Sequence, residues 1–143
     1  MLLAILTGLA LASATVAIHA GGTAWWVSQL RSKYQGRSHL PASVWLLSST
    51  AVLLLSLQMV EVVLWATVYV ALPNAETISS VEEAIYFSTV TFTTLGYGDV
   101  TLEGRWRILS AMQGATGILI CGWSTAVLLA VVQAIGEQGK RNR

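Results

Sequence analysis

The stretch Thr-Thr-Leu-Gly-Tyr-Gly-Asp occupies residues 93–99, and it lies between two long apolar segments at residues 42–72 and 106–135. Its glycines, Gly96 and Gly98, permit backbone φ values that are closed to other residues. Successive carbonyl groups can therefore turn to the same side. Irregular backbone at membrane depth cannot be satisfied by lipid, so it must be buried in protein or face a water-filled path. The stretch therefore predicts a polar pathway.

A short helix is predicted immediately before this stretch. Ser80 and Glu83 have the spacing of a capping box, which places acidic side chains at the positive end of the helix dipole. Pro73 and Asn74 are expected to end the preceding helix. From Thr89 onward the residues are crowded with β-branched side chains, which disfavour further helix. A helix of about a dozen residues is about 18 Å long, so it enters a membrane without crossing it.

The composition is that of a membrane protein. Of the 143 residues, 55% are hydrophobic and 10% are charged, against about 25% charged in a soluble domain, and the mean hydropathy is +0.65. Three apolar segments, residues 2–30, 42–72 and 106–135, approach or exceed the roughly 20 residues that a spanning helix needs. The first lacks a basic amino-terminal region and ends at Arg31 and Lys33, so we expect a retained span and not a signal peptide.

Several functions are disfavoured by the same composition. The net charge is +1 and the basic residues form short clusters, so no nucleic-acid partner is expected. Cys121 is the single cysteine, and with two histidines no zinc-type cluster is indicated. We therefore expect membrane lipid around the protein, no cofactor and no enzymatic activity.

The basic clusters predict an orientation. Lys and Arg accumulate in cytoplasmic loops, so the segments around Arg37 and around Lys140 and Arg143 are expected on the cytoplasmic side of a plasma (inner) membrane. The amino terminus then lies outside and the carboxyl terminus inside. The charged residues expected at the outer side are Glu76, Glu82, Glu83, Asp99, Glu103, Arg105 and Arg107.

Residues 89–99, Thr-Val-Thr-Phe-Thr-Thr-Leu-Gly-Tyr-Gly-Asp, resemble the pore module of the potassium channel superfamily. The resemblance covers about residues 41–135 and implies an all-α membrane protein. Each subunit would have three transmembrane helices, a re-entrant pore helix and a selectivity-filter loop, and four identical subunits would complete the pore. The whole chain is similar to small prokaryotic potassium channels with one extra span. It divides into an amino-terminal helix with a basic loop (1–40), the pore module from Pro41 to residue 135, and a basic tail (136–143).

The resemblance also implies the site. Potassium is the permeant ion, and the ion-facing filter residues are Thr94, Leu95, Gly96, Tyr97 and Gly98. The residues expected to support the filter are Thr93, Asp99, Tyr86, Phe87 and Val90. The Tyr97 ring is expected to turn away from the ion and pack near Tyr86 and Phe87. Val90 stands where some bacterial relatives carry glutamate, so Asp99 is expected to find another partner, an aromatic N–H or water.

On the third span, the resemblance places Gly117 at a hinge, and close packing of helices is the alternative. Ile118, Cys121, Thr125 and Leu129 fall on one stripe of this helix. In the family's arrangement that stripe lines the cavity under the filter. Ordinary core packing remains the alternative for Ile118 and Leu129.

Glu61 lies inside the second span, where an acidic residue indicates function because burying its charge is costly. A structural role is the alternative, with Glu61 bonded to a threonine of the pore helix or to Gln113 at similar depth. His19 is expected nearer the inner face and not paired with Glu61.

The sequence thus favours a potassium-selective channel. A weakly selective cation channel with the same architecture remains open, as does a non-conducting accessory subunit.

Overall fold

The computed structural model describes residues 1–34, 43–72 and 78–141, and within them the chain is all-α, as predicted. The four helices are α1 (Leu2–Tyr34), α2 (Ser43–Ala71), α3 (Val81–Phe92) and α4 (Arg107–Arg141), and a 3-10 turn at Gly104–Trp106 precedes α4. Predictions that concern Arg37, Pro41, Pro73, Asn74, Glu76 and Arg143 lie outside the described residues.

Three helices are long and apolar enough to cross a membrane, at Leu2–Leu30, Val44–Ala71 and Gly104–Glu137. They agree with the three apolar segments read from the sequence. α4 continues to Arg141, so no helix end marks the predicted boundary between pore module and tail at residue 135.

Side-chain hydrogen bonds show how the long helices run. The Trp65 indole on α2 donates to Thr15 on α1, and Trp26 on α1 donates to Thr50 on α2, both at 3.0 Å. Residues later in α1 thus contact residues earlier in α2, so the two helices are antiparallel. The Tyr69 hydroxyl contacts Gln113 and the Gln58 amide contacts Ser124. α4 is therefore antiparallel to α2 and parallel to α1.

The largest core lies at the end of the bundle that carries residues 78–106, which we call the upper end. All four helices contribute buried apolar side chains there, including Leu11, Trp65, Tyr69, Phe87 and Leu109. Trp65 and Tyr69 are fully buried.

α3 begins at the predicted cap. The Ser80 hydroxyl accepts from the Glu83 N–H at 3.1 Å, and the Glu83 carboxylate accepts from the N–H and hydroxyl of Ser79 at 2.7 and 2.8 Å. The hydrogen bond from the Ser79 backbone N–H, and then that from its hydroxyl, hold the pKa of Glu83 below its ordinary value. The reciprocal half of the capping box thus engages Ser79, one residue before the cap.

The end of α3 differs from the prediction, because the helix continues past Thr89 to Phe92. Thr89 and Thr93 donate their hydroxyls to the carbonyls of Ile85 and Thr89, at 2.7 and 2.8 Å. Phe92 is buried in a second core with Val62 and Ile120. Tertiary packing thus outweighs the weak helix propensity of the β-branched run.

The carboxyl end of α3 stops part-way along α4. Phe92 contacts α4 at Gly117, about 15 Å from the start of α4 at 1.5 Å per residue. A Cβ at Gly117 would overlap the Phe92 carbonyl oxygen, which is backbone and cannot turn aside. Close packing, one of the two roles considered for Gly117, is therefore what the structure shows.

Gly117→Ala is expected to destabilise the fold by about 1–3 kcal/mol, the usual range for overpacking, because α3 must move off α4. Thermal unfolding in detergent measures the loss. Gly136→Ala on the same helix meets no atom within 4 Å and is the matched control. A Gly117→Ala protein as stable as the control would contradict this contact.

Candidate functional site

The loop after α3 has an alternating backbone. Thr94, Gly96 and Gly98 have φ values of 62°, 57° and 80°, which lie in the left-handed region. The predicted use of glycine at 96 and 98 is confirmed. Thr94 adopts the same region without being glycine, which costs about 1–2 kcal/mol and was not foreseen. Left-handed backbone thus occurs at every second residue from 94 to 98.

The beginning of this loop is tied to the end of α3. The Leu95 and Gly96 N–H groups both donate to the Val90 carbonyl, at 3.0 and 3.4 Å, and the Thr94 N–H donates to Thr91 at 3.0 Å. The Thr93 hydroxyl donates to Thr89. The backbone of Val90, more than its side chain, thus positions the loop. The side chains of residues 93–99 remain exposed in the single chain.

Asp99 ends the loop and has a clear partner. The Tyr86 hydroxyl on α3 donates to its Oδ2 at 2.6 Å, and the Val100 N–H donates to its Oδ1 at 3.1 Å. An aromatic O–H therefore takes the place of the N–H or water expected from the sequence. The hydrogen bond from Tyr86 is the main cause that lowers the pKa of Asp99, and it raises the pKa of Tyr86 itself. Tyr86 thereby fixes the carboxyl-terminal end of the loop to α3.

α3 itself is held by a buried polar network. The Ser88 hydroxyl donates to the Val62 carbonyl of α2 at 2.7 Å, and the Gln113 amide of α4 donates to the Ser88 oxygen at 2.7 Å. The Tyr69 hydroxyl of α2 donates to Gln113 Oε1 at 2.7 Å. Ser88 and Gln113 were not singled out as a pair from the sequence. The sequence signal that could have indicated this contact is a polar serine within an otherwise apolar part of α3.

The expected packing of the Tyr97 ring near Phe87 is not found within one chain. Tyr97 is 68% exposed, and Phe87 packs edge-on against Tyr69 with ring centroids 5.0 Å apart. Phe87 belongs to the upper core, where it packs against Tyr69 of α2.

The predicted stripe on α4 faces away from the other described helices. Ile118 and Leu129 are 64% and 55% exposed, and Cys121 and Thr125 are exposed as well. Neighbouring Ile120 is fully buried instead. The stripe therefore does not belong to the core of the single chain.

The prediction that His19 does not pair with Glu61 is wrong. His19 Nδ1 lies 3.0 Å from Glu61 Oε1, and both side chains are fully buried. The prediction assumed that α1 and α2 end at the same level of the membrane. In the structure, α1 begins well above the level at which α2 ends. Gln113 of α4 lies beside Tyr69 of α2, which is about two helical turns above Glu61. Neither Gln113 nor a threonine of α3 is a described partner of Glu61.

Three helices long and apolar enough to span a membrane, and a capped short helix that ends part-way along α4 in an irregular glycine loop, define a membrane protein with a re-entrant pore element. Residues 57–134 match the family Ion_trans_2, described as an ion channel, which is the two-span potassium channel pore module. The match covers more than half of the chain, so the protein belongs to this ion channel family. No curated protein and no solved structure matches the chain.

Tyr86→Phe is expected to return the pKa of Asp99 toward the ordinary value of about 3.9, because the donated O–H is lost. Since the pKa of Asp99 is lowered in the folded chain, the stability that it contributes is present above about pH 3.9 and lost as the pH falls through the folded value. Carboxyl ¹³C NMR titration in detergent measures the change. Unchanged titration of Asp99 would show that Tyr86 does not hold it in solution.

Proposed function

We propose that four copies of this chain form a potassium-selective channel whose filter is residues 94–98. The observation that carries the proposal is the left-handed backbone at Thr94, Gly96 and Gly98, directly after a short helix that ends against Gly117 of α4. Such a backbone can aim successive carbonyl oxygens at one axis, where they replace the hydration shell of a potassium ion. The permeant ion would pass down its gradient, and no enzymatic step is involved.

The exposed surfaces of the single chain support the tetramer. One chain supplies one wall of a pore, and polar backbone at membrane depth needs protein or water opposite it. The exposed loop and the exposed stripe of Ile118, Cys121, Thr125 and Leu129 are the surfaces that such an arrangement would turn toward a central path. The Tyr97 ring, exposed here, would then pack against a neighbouring copy.

In the proposed orientation, the amino terminus lies outside the plasma (inner) membrane and the tail lies on its cytoplasmic side. It is supported by the excess of basic residues in the segments around Arg37 and Arg143. The carboxyl end of α3, which carries the negative end of its dipole, would then point inward and favour a cation below the filter.

Gly96→Ala is expected to abolish the preference for K⁺ over Na⁺, because alanine resists the φ of 57° and the carbonyls of the loop would turn away. Gly104→Ala is the matched control. Its φ is 56°, and the added Cβ is equally free of contacts, but it lies outside the loop. Reversal potentials in mixed K⁺ and Na⁺, from liposomes holding only this protein, measure the effect.

Equal selectivity in folded Gly96→Ala and Gly104→Ala channels would contradict the filter assignment. A wild-type reversal potential that ignores the K⁺ gradient would favour the weakly selective cation channel. A wild-type chain that carries no ions by itself would favour the accessory subunit.

A charged, membrane-impermeant thiol reagent is expected to inhibit wild-type flux from the cytoplasmic side, because Cys121 is exposed on the stripe that would line the cavity. Cys121→Ser channels should conduct and resist the reagent. Inhibition from the opposite side alone would contradict the orientation. Open wild-type channels that remain unchanged would remove Cys121 from the lining.

A further inference from the structure

A buried polar cluster joins the three long helices below α3. His19 of α1 contacts Glu61 of α2 through Nδ1 at 3.0 Å and Ser124 of α4 through Nε2 at 3.3 Å. The Gln58 amide of α2 donates to the same Ser124 oxygen at 3.1 Å. His19 and Glu61 are fully buried and Ser124 is 7% exposed. The edge of the Trp123 ring closes the cluster against His19, with centroids 5.8 Å apart.

Two groups in this cluster titrate. Among the described residues that face it, α1 contributes His19 and the neutral Thr15 and Thr23, and α2 contributes Glu61 and the neutral Gln58. α4 contributes Ser124 and Trp123, and its Cys121 lies on the exposed face. α3 reaches this level of α2 through the neutral Ser88, whose hydroxyl bonds to the Val62 carbonyl.

The charge of the His19–Glu61 pair depends on how many protons it holds. With no proton the pair carries one negative charge, and with two it carries one positive charge. With one proton it is neutral overall. An uncompensated charge in an apolar interior is very costly, and no other charged side chain is described at this site to balance it. The buried pair therefore retains one proton over a wide range of pH.

The second oxygen of Glu61 indicates where that proton resides. Glu61 Oε2 is the one buried side-chain nitrogen or oxygen in the described ranges that lacks a hydrogen-bond partner. An unpartnered oxygen is far more costly on a carboxylate than on a neutral carboxylic acid. The proton therefore belongs on Glu61 Oε1, which donates to Nδ1 of a neutral His19. The Nε2–H of His19 then donates to the Ser124 hydroxyl.

Loss of the proton reverses the hydrogen bond to α4. A Glu61 carboxylate needs an N–H at Nδ1 of His19, and a neutral ring then has a lone pair at Nε2. The Ser124 hydroxyl must turn to donate to that lone pair. We propose that His19 and Glu61 form a buried binding site for one proton, and that this proton fixes the contact between α1 and α4 through Ser124. The link to ion flux rests on the proposed function, whereas proton binding does not.

Stability measured against pH tests the binding of the proton. In the unfolded chain, His and Glu titrate near about 6.5 and 4.3, so above about pH 6.5 the unfolded pair holds no proton and the folded pair holds one. Stability therefore falls as the pH rises, and the unfolding equilibrium constant grows up to about tenfold per pH unit. Circular dichroism at a fixed temperature within the thermal transition, in neutral detergent from pH 6.5 to 9, measures this slope.

Glu61→Gln separates the proton from the hydrogen bond. The glutamine amide can donate to Nδ1 of His19 as the protonated acid does, but it has no proton to lose. Glu61→Gln is therefore expected to match the wild type near pH 6.5 and to lose this slope above it. Glu137→Gln, the same change at an exposed residue of α4, should keep the slope. Glu61→Leu should be less stable at every pH, because it leaves His19 Nδ1 without a partner.

Parallel curves for the wild type and Glu61→Gln above pH 6.5 would overturn the proton site. Potassium flux in liposomes supplies the second readout, in which the two proteins should coincide near pH 6.5 and diverge toward pH 9. Coincident flux at every pH, with different stability curves, would overturn the link through Ser124 to conduction. No flux from any variant would contradict the channel assignment and that link together, while the stability curves still decide the proton.

Discussion

Lipid offers no hydrogen bonds, and the chain nevertheless places non-helical backbone between its long apolar helices, part-way along α4. This constraint organises the rest of the molecule. The Leu95 and Gly96 N–H groups return to the Val90 carbonyl at the end of α3, so the loop begins with its donors satisfied. In the proposed tetramer, the carbonyls beyond that point would face water or another copy of the chain. A conducting path and an oligomer thus answer the same physical requirement.

The depth of α3 follows from a few polar contacts and one missing side chain. Ser88 ties α3 to the Val62 carbonyl of α2, and Gln113 of α4 bonds to Ser88 from the other side. The Tyr69 hydroxyl donates to the side-chain oxygen of Gln113. Leaving one such buried group unpaired costs about 1–3 kcal/mol, so the network strongly favours one position. Gly117 then lets the last turn of α3 approach the backbone of α4.

The parts that could be predicted from the sequence are those with a local signal. Apolar length gave the three spans, Ser80 and Glu83 gave the start of α3, and the glycines at 96 and 98 gave the positive φ values. The end of α3 was predicted too early, because burial of Phe92 and Val90 is a tertiary effect.

The buried polar pairings could not be predicted, for a geometric reason. Whether His19 meets Glu61 depends on the vertical offset between α1 and α2, and the apolar segments do not reveal it. One more turn of offset changes every partner, since helical neighbours recur each 5.4 Å. Tyr86 was expected near the Tyr97 ring, and its hydroxyl contact to Asp99 depends on how α3 is rotated about its axis.

The contacts of α1 explain how a helix outside the matched pore module remains attached to it. Apolar side chains alone hold two helices together weakly in lipid, because lipid tails are equally apolar. α1 therefore relies on polar contacts at three levels, through Thr15, His19 and Trp26. Gly8 and Gly22 add close approach, since a Cβ there would lie 2.5 Å from Met112 and Leu57 side-chain atoms.

Of these three polar contacts, only that of His19 can change its charge, and only His19 also bonds to α4. The upper and lower contacts join α1 to α2 alone, through neutral indole and hydroxyl groups. Rearrangement at His19 would therefore alter how α1 meets α4 while leaving α1 attached to α2. A helix held in this way can act on α4 without touching residues 94–98, because α4 contacts the end of α3 through Phe92 and Gly117.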